Sequence, residues 1–139
     1  MWAIVPVKDL AGAKQSLSPV LSPEERHGLY RAMLSDVLRA LAGAASLDGI
    51  ALITRDAEAE LMAAEYGATI TPEAENGGQT AAVSHGIQQL MARGVETIVQ
   101  IPGDVPLVTP TEIEQVIAAH LPAPAMTIVP ARDEQGSNC

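Results

Sequence analysis

Phenylalanine is absent from this chain of 139 residues, and aromatic residues make up only 2% of it. Apolar residues still account for 47% of the sequence, so a core has to be built mainly from Ala, Val, Leu, Ile and Met. A core of that composition is typical of sheets that are covered by helices. Because the length suits one core and is short for two domains, we expect a single domain over residues 1–139.

Basic residues are scarce as well. Eight Lys and Arg stand against 17 Asp and Glu, which gives a formal net charge of −9 at pH 7. Nucleic acids and anionic membranes both require a basic face on the protein, so we expect neither as a partner. An acidic protein can still bind a nucleotide through a divalent cation and a few local lysines.

Cysteine occurs once, at Cys139. A single cysteine excludes an internal disulfide and a cysteine-based metal site, and it fits a reducing compartment. The sequence also lacks an uninterrupted run of 18 apolar residues and the basic start of a signal peptide. We therefore expect a soluble, cytoplasmic protein.

Short apolar runs alternate with helix signals along the chain. Ser22-Pro23-Glu24-Glu25 and Thr109-Pro110-Thr111-Glu112 each combine an N-cap residue, a proline at the first helical position and a glutamate that completes a capping box. Strands are predicted over residues 2–7, 50–54, 68–71, 97–101 and 125–129, and helices over residues 23–42, 58–66, 80–93 and 110–120. This alternation predicts an α/β fold, a three-layer α/β/α sandwich with a mostly parallel sheet and the first strand in its centre.

The ligand crevice of such a sheet lies beyond the carboxyl ends of its strands. Lys8 and Lys14 follow the first strand, and their compact charges can neutralise a triphosphate; the alternative is an ordinary surface loop with two solvated lysines. Thr54 ends the second strand. Gly77-Gly78 leads into a helix N-terminus, where amide donors and the helix dipole favour an anion or a base edge.

Asp104 follows the fourth predicted strand and stands between Pro102 and Pro106 in a stiff turn. A single fixed carboxylate can hold Mg²⁺ with help from substrate phosphates, which is how Mg²⁺ is usually bound. The alternative is a turn residue that accepts hydrogen bonds from its own backbone. We predict Asp104 as the metal ligand.

Three blocks of the sequence resemble one family. They are Ala3-Ile4-Val5-Pro6-Val7-Lys8 with Ala13-Lys14, Leu21-Ser22-Pro23-Glu24-Glu25-Arg26 with Met33-Leu34-Ser35-Asp36-Val37-Leu38, and Pro102-Gly103-Asp104-Val105-Pro106-Leu107. Together they resemble the phospholactate guanylyltransferases of coenzyme F420 biosynthesis, which are Rossmann-like nucleotidyltransferases with a glycosyltransferase-A-like fold. Gly136-Ser137-Asn138 is similar to the start of that family's Gly-Thr-Asn loop.

The resemblance implies transfer of GMP from GTP to a small three-carbon phosphoacid, with release of pyrophosphate. The acceptor could be 2-phospholactate, phosphoenolpyruvate or a phosphoglycerate. Lys8, Lys14 and Asp104 would be catalytic, with Asp104 holding Mg²⁺. The nucleotide would contact Val5, Pro6, Lys14, Thr54, Gly77, Gly78, Gln79 and Thr80. The acceptor would contact Gly136, Ser137 and Asn138.

The chain departs from the family pattern at three places. Ser16 stands where the family has an arginine, and Gln79-Thr80 replace the usual Leu-Asn, which leaves the choice of base open. The sequence also ends about two thirds of the way through the pattern, so we expect the family's C-terminal third to be missing. This expectation leaves open whether the 139-residue form is active. Whether the protein forms a homodimer is a separate open point.

Two other functions stay open. Residues 77–78, 83–87 and 104–108 are similar to a cytidylyltransferase of the methylerythritol-phosphate type, although the first loop lacks the Gly-x-Gly-x-Arg sequence of such enzymes. A nucleotide-binding remnant without catalysis is the other alternative. Nucleotide preference separates the two enzymes, and turnover separates both from the remnant.

Overall fold

The computed structural model describes residues 1–72 and 78–131. Strands and α-helices alternate along this part of the chain, and a short 3₁₀ helix, Gln15–Leu17, follows the first strand. The elements are β1 (Trp2–Pro6), α1 (Pro23–Ala42), β2 (Gly49–Thr54), α2 (Ala57–Glu65), β3 (Thr69–Pro72), α3 (Gly78–Ala92), β4 (Ile98–Gln100) and α4 (Pro110–Ala119). None of these helices is long and apolar enough to cross a membrane.

The four strands form one sheet in the order β3-β2-β1-β4, and every neighbouring pair is parallel. In the middle of the sheet, Ile4 lies opposite Ala51 on one side and Gln100 on the other. The prediction of an internal first strand is confirmed. Because all strands point the same way, the loops after β1, β2 and β4 emerge at one edge of the sheet.

Side chains from the two faces of the sheet pack into two separate clusters. Ala3 and Val5 of β1 belong to a cluster that includes residues of α1, α2 and α4. Ile4, between them in sequence, belongs to the other cluster, with residues of α3. Successive side chains of a strand point to opposite faces, so helices cover both faces. The three-layer sandwich is confirmed.

Helix α3 approaches the sheet closely at Gly86. A Cβ atom on Gly86 would lie 2.6 Å from Ile53 Cδ1 and 2.9 Å from Ile4 Cδ1, both in buried side chains. Glycine at this position therefore allows α3 to pack directly on β1 and β2.

Both predicted capping boxes are present. The Ser22 hydroxyl accepts the Glu25 N–H at 3.2 Å, and the Glu25 carboxylate accepts the Ser22 N–H at 2.8 Å. Thr109 and Glu112 make the same reciprocal pair at the start of α4. These bonds pair N–H groups that have no partner within the helix, so the predicted starts of α1 and α4 are confirmed.

Two sequence predictions of secondary structure are corrected. Residues 125–129 form no strand; only Pro130 makes an isolated bridge, and the side chains of Met126 and Ile128 are 85% and 62% exposed. An apolar run becomes a strand only if its backbone finds a partner, and Pro124 and Pro130 flank the run without N–H donors. Helix α3 begins at Gly78, two residues before the predicted start, so Gly78, Gln79 and Thr80 lie in its first turn.

Candidate active site

The loop after β1 is held to the neighbouring strand and to α2. Val7 N–H donates to the Ile53 carbonyl oxygen at 2.9 Å, and Leu10 N–H donates to Asp56 Oδ2 at 2.9 Å. The Leu10 side chain is buried in the core, whereas Lys8 is exposed. The loop is therefore anchored at Leu10, between its two lysines.

Lys14 closes this loop in a left-handed conformation, with φ 56° and ψ 41°. Its carbonyl oxygen accepts the Leu17 N–H at 2.9 Å, which starts the 3₁₀ helix. Its ammonium Nζ lies 2.6 Å from Asp104 Oδ2. Such a backbone conformation is uncommon outside glycine and clusters at functional sites, where the surrounding structure maintains it.

Asp104 is presented by the loop after β4. Ile101 N–H donates to the Ile4 carbonyl oxygen at 3.1 Å, so this loop leaves the sheet next to β1. A Cβ atom on Gly103 would lie 3.2 Å from both Leu34 Cδ1 and Val7 Cγ2, which leaves little room for a larger residue. Asp104 is thereby fixed against the loop after β1.

The two loops enclose a cavity of about 270 Å³, which we call the edge cavity. Its lining residues come from the end of β1, from the loops after β1 and β4, and from α1. They are Pro6, Lys8, Asp9, Gly12, Ala13, Lys14, Tyr30, Pro102, Gly103 and Asp104. The three residues predicted as catalytic, Lys8, Lys14 and Asp104, thus line one cavity at the carboxyl edge of the sheet, while their roles stay predictions.

Tyr30 is a lining residue that sequence reasoning missed. Burial, together with the negative charges of Asp104 and Asp56, raises its pKa to about 12. The phenol is therefore neutral at physiological pH and offers the cavity an O–H group. In the sequence Tyr30 belongs to the apolar face of α1, and nothing in that pattern distinguishes it from a core residue.

Val5 and Thr54 lie at the predicted edge, but their side chains are fully buried. Val5 packs in the core, so a nucleotide could meet only its main chain. Thr54 Oγ1 accepts the Asp56 N–H at 3.0 Å, so this hydroxyl serves the turn before α2. Nucleotide binding by either residue stays a prediction.

Asp56 caps α2 and carries a lowered pKa. Its carboxylate oxygen Oδ1 accepts the N–H groups of Glu58 at 2.9 Å and Ala59 at 3.0 Å. Desolvation is the largest single influence, and on its own it would raise the pKa of Asp56. The N–H donors of Leu10, Ala59 and Glu58, together with the nearby His27, outweigh it and lower the pKa below its ordinary value. Asp56 is therefore ionised in the folded protein at neutral pH.

The remaining predicted positions are only partly described. Gly78, Gln79 and Thr80 lie in the first turn of α3, where backbone N–H groups have no partner within the helix. Gly77, predicted for the nucleotide, and Gly136, Ser137 and Asn138, predicted for the acceptor, lie outside the described residues.

The carboxylate of the site fits Mg²⁺ only when a substrate supplies further ligands. Within residues 1–72 and 78–131, no group of three or more His, Cys, Asp or Glu side chains could hold a metal ion. Asp104 offers one carboxylate, which is 41% exposed and already contacts Lys14. Mg²⁺ commonly binds one or two carboxylates and completes its shell with phosphate oxygens and water, so this site needs a bound nucleotide.

The fold is shared with solved structures of nucleotide-using transferases. A protein of Desulfovibrio desulfuricans G20, assigned by name to the nucleotide-diphospho-sugar transferases, matches with a TM-score of 0.70 and 19% identity. The match covers 95% of this chain and 58% of the other. This likeness shows a shared α/β fold with a parallel sheet.

The whole chain, residues 1–139, matches the family described as guanylyl transferase CofC like, and the chain belongs to that family. A phosphoenolpyruvate guanylyltransferase of Sphaerobacter thermophilus is 34% identical over 136 residues, which cover 98% of this chain and 65% of the relative. One of Conexibacter woesei is 31% identical over 138 residues, which cover 99% and 62%. The chain thus spans less than two thirds of either relative.

Proposed function

We propose that this chain is the nucleotide-binding part of an enzyme that transfers GMP from GTP to a small three-carbon phosphoacid and releases pyrophosphate. The observation that carries the proposal is the 2.6 Å contact between Lys14 Nζ and Asp104 Oδ2 in the edge cavity. A lysine for the triphosphate and a carboxylate for its Mg²⁺ stand together at the edge where this fold class binds ligands. Membership in the guanylyl transferase family supports the choice of GTP.

The chemistry is a displacement at the α-phosphorus of GTP. A phosphate oxygen of the acceptor attacks this phosphorus, a new P–O bond forms, and the bond to the β-phosphate oxygen breaks with pyrophosphate as the leaving group. Lys8 and Lys14 would neutralise the charge on the triphosphate, and both line the cavity. Such a reaction depends on positioning and charge neutralisation rather than on a covalent intermediate.

Asp104 would hold Mg²⁺ together with phosphate oxygens of the nucleotide. The ion, when bound, would stabilise the negative charge that develops on the leaving pyrophosphate. We assign the base and ribose to residues 77–80 from the resemblance, and the first turn of α3, which begins at Gly78, supports this because its N–H groups have no partner within the helix. We assign the acceptor phosphate to residues 136–138, from the resemblance alone.

Phosphoenolpyruvate is the first acceptor to test, because the Sphaerobacter and Conexibacter relatives are named for it. 2-Phospholactate and phosphoglycerate carry the same phosphate and carboxylate on three carbons and are the other candidates. Formation of such a product belongs to coenzyme F420 biosynthesis in the phospholactate guanylyltransferase family, and we extend this role to the chain. Cytoplasmic location and dimerisation stay predictions.

Pyrophosphate release tests the proposal. The 139-residue chain, and a chimera that adds the remaining part of the Sphaerobacter relative, are each incubated with Mg²⁺, GTP or CTP, and one acceptor. We expect turnover by the chimera with GTP and one three-carbon phosphoacid, and little or none by the 139-residue chain. Turnover only with CTP and methylerythritol phosphate would favour the cytidylyltransferase, and silence of both forms with every pair would contradict the enzyme function.

A further inference from the structure

One carboxylate joins two loops of the carboxyl edge. Asp56 Oδ2 accepts the Leu10 N–H at 2.9 Å, and these residues are 46 positions apart. Its other oxygen, Oδ1, accepts the N–H groups of Glu58 and Ala59 in the first turn of α2. Asp56 therefore caps a helix with one oxygen and anchors the lysine loop, residues 7–14, with the other.

Asp56 is itself held in place by the sheet. Thr54 ends β2 with a fully buried side chain, and its hydroxyl oxygen accepts the Asp56 N–H at 3.0 Å. Ala59, one of the capped residues, is fully buried against the sheet. The carboxylate is thus preset by a rigid strand and a packed helix, which is the support that a precise site requires.

Leu10 links Asp56 to the turn that contains Lys14. Its side chain is buried in the core, and its carbonyl oxygen accepts the Ala13 N–H at 3.3 Å. Ala13 directly precedes Lys14, whose left-handed backbone brings Nζ to Asp104. The chain of contacts therefore runs from Asp56 through Leu10 to the turn that presents Lys14.

We propose that Asp56 is a positioning residue for nucleotide binding, acting through Leu10 on Lys14. The inference rests on the proposed function, since it assumes that Lys14 meets the triphosphate. Residues in uncommon backbone conformations persist only where their surroundings hold them, and the Asp56–Leu10 bond anchors the start of the Lys14 turn. Asp56 does not line the edge cavity.

The Asp56→Asn variant separates the two tasks of this carboxylate. Asparagine is as good an N-cap as aspartate, so its carbonyl oxygen can keep the cap of α2. Its second group is then an NH₂ donor, which faces the Leu10 N–H and cannot accept its hydrogen bond. Asp56→Ser is the second variant, because serine also caps helices but is too short to provide the second acceptor.

Ser22→Ala is the matched control. It removes an N-cap from α1, where Ser22 accepts the Glu25 N–H, and it leaves the Asp56–Leu10 bond intact. Loss of a cap costs stability by an amount similar to the loss of one anchoring hydrogen bond, so the variants should unfold at similar urea concentrations. A difference between them in nucleotide affinity would then not follow from stability.

Two measurements are made on each variant of the 139-residue chain. Amide hydrogen exchange without nucleotide reports the Asp56–Leu10 bond, and calorimetric titration with GTP and Mg²⁺ reports binding. For Asp56→Asn and Asp56→Ser we expect faster exchange over residues 10–14 and GTP affinity about tenfold weaker than in the wild type. For Ser22→Ala we expect wild-type exchange in this loop and wild-type affinity.

The outcomes separate this inference from the proposed function. If the wild type binds GTP and both Asp56 variants bind it equally well, or if Ser22→Ala loses as much affinity as they do, Asp56 has no positioning role. Absence of GTP binding by the wild type overturns the proposed function and the positioning role with it. The inference is supported if the Asp56 variants show faster exchange in the loop and weaker GTP binding, and Ser22→Ala shows neither.

Discussion

Lys14 Nζ lies 2.6 Å from Asp104 Oδ2, although the two residues are 90 positions apart in the chain. Their side chains are 23% and 41% exposed, so the pair is partly solvated and contributes at most about 1 kcal/mol to stability. In the proposed function each group has another ligand, the triphosphate for Lys14 and Mg²⁺ for Asp104. Binding of the magnesium nucleotide would therefore replace a weak ion pair with two stronger charge-assisted contacts.

Lys14→Ala should weaken GTP binding by about 10- to 100-fold, the range expected for loss of a hydrogen bond between charged groups. The free energy of unfolding should hardly change, because the lost ion pair is partly exposed. Arg93→Ala is the control: Arg93 is an exposed cation just after the end of α3 and does not line the cavity. Equal affinity of wild type and Lys14→Ala in calorimetric titration would remove Lys14 from the site.

Asp104→Asn should abolish most of the Mg²⁺ dependence of nucleotide binding. The amide keeps the shape of the turn but loses the charge that attracts the ion, an effect of about 1–3 kcal/mol. The measurement compares GTP affinity with Mg²⁺ and with chelator, in the wild type and the variant. Asp36→Asn, which removes a partly exposed carboxylate that pairs with Arg39 on α1, should retain the wild-type dependence. If Asp104→Asn retains it too, the metal binds elsewhere.

Asp56→Asn should lower the free energy of unfolding at neutral pH and have no effect in strong acid. The pKa of Asp56 is lowered in the folded protein, despite desolvation, by N–H donors and His27. Its stabilisation is therefore complete above the unfolded pKa of about 3.9 and is lost as the pH falls through the lower folded-state pKa. Urea unfolding should show a deficit of about 1 kcal/mol at pH 7 that vanishes near the acid limit. A deficit independent of pH would contradict the role of the charge.

Gly86→Ala should destabilise the fold by about 1–3 kcal/mol through overpacking. The added Cβ atom would lie 2.6 Å from Ile53 Cδ1, so α3 or the buried side chain must move. Gly28→Ala is the matched control, because Gly28 lies in α1 with nothing within 4 Å of the added atom. Alanine there should stabilise the helix by up to about 1 kcal/mol. Thermal unfolding of both variants decides whether α3 packs as closely as described.

The helices and most strands could be predicted because their signals are local in sequence. The capping boxes at Ser22 and Thr109 need only four residues each, and both are formed. Residues 125–129 show the limit of this reasoning: the run is apolar, but a strand also requires a partner, which sequence alone does not reveal. The same limit led to the late predicted start of α3, since helix ends depend on neighbouring structure.

The position of the candidate site could be predicted from topology, since the carboxyl ends of parallel strands share an edge. This rule predicts that Lys8, Lys14 and Asp104 lie near one another, but it gives no distances between them. The contacts of Tyr30 and Asp56 could not be predicted in this way. Asp56 meets Leu10 across 46 residues, and Tyr30 lines the same cavity as Asp104 only after α1 has packed on the sheet.

The most direct test of the proposed site is a calorimetric titration of the 139-residue chain with GTP, CTP, ATP and UTP, each with and without Mg²⁺. We expect GTP to bind more tightly than the other three, to require Mg²⁺, and to bind more weakly after Lys14→Ala or Asp104→Asn. Tighter binding of CTP would contradict the guanylyl specificity. Absence of binding by all four nucleotides would contradict the assignment of the edge cavity as a nucleotide site.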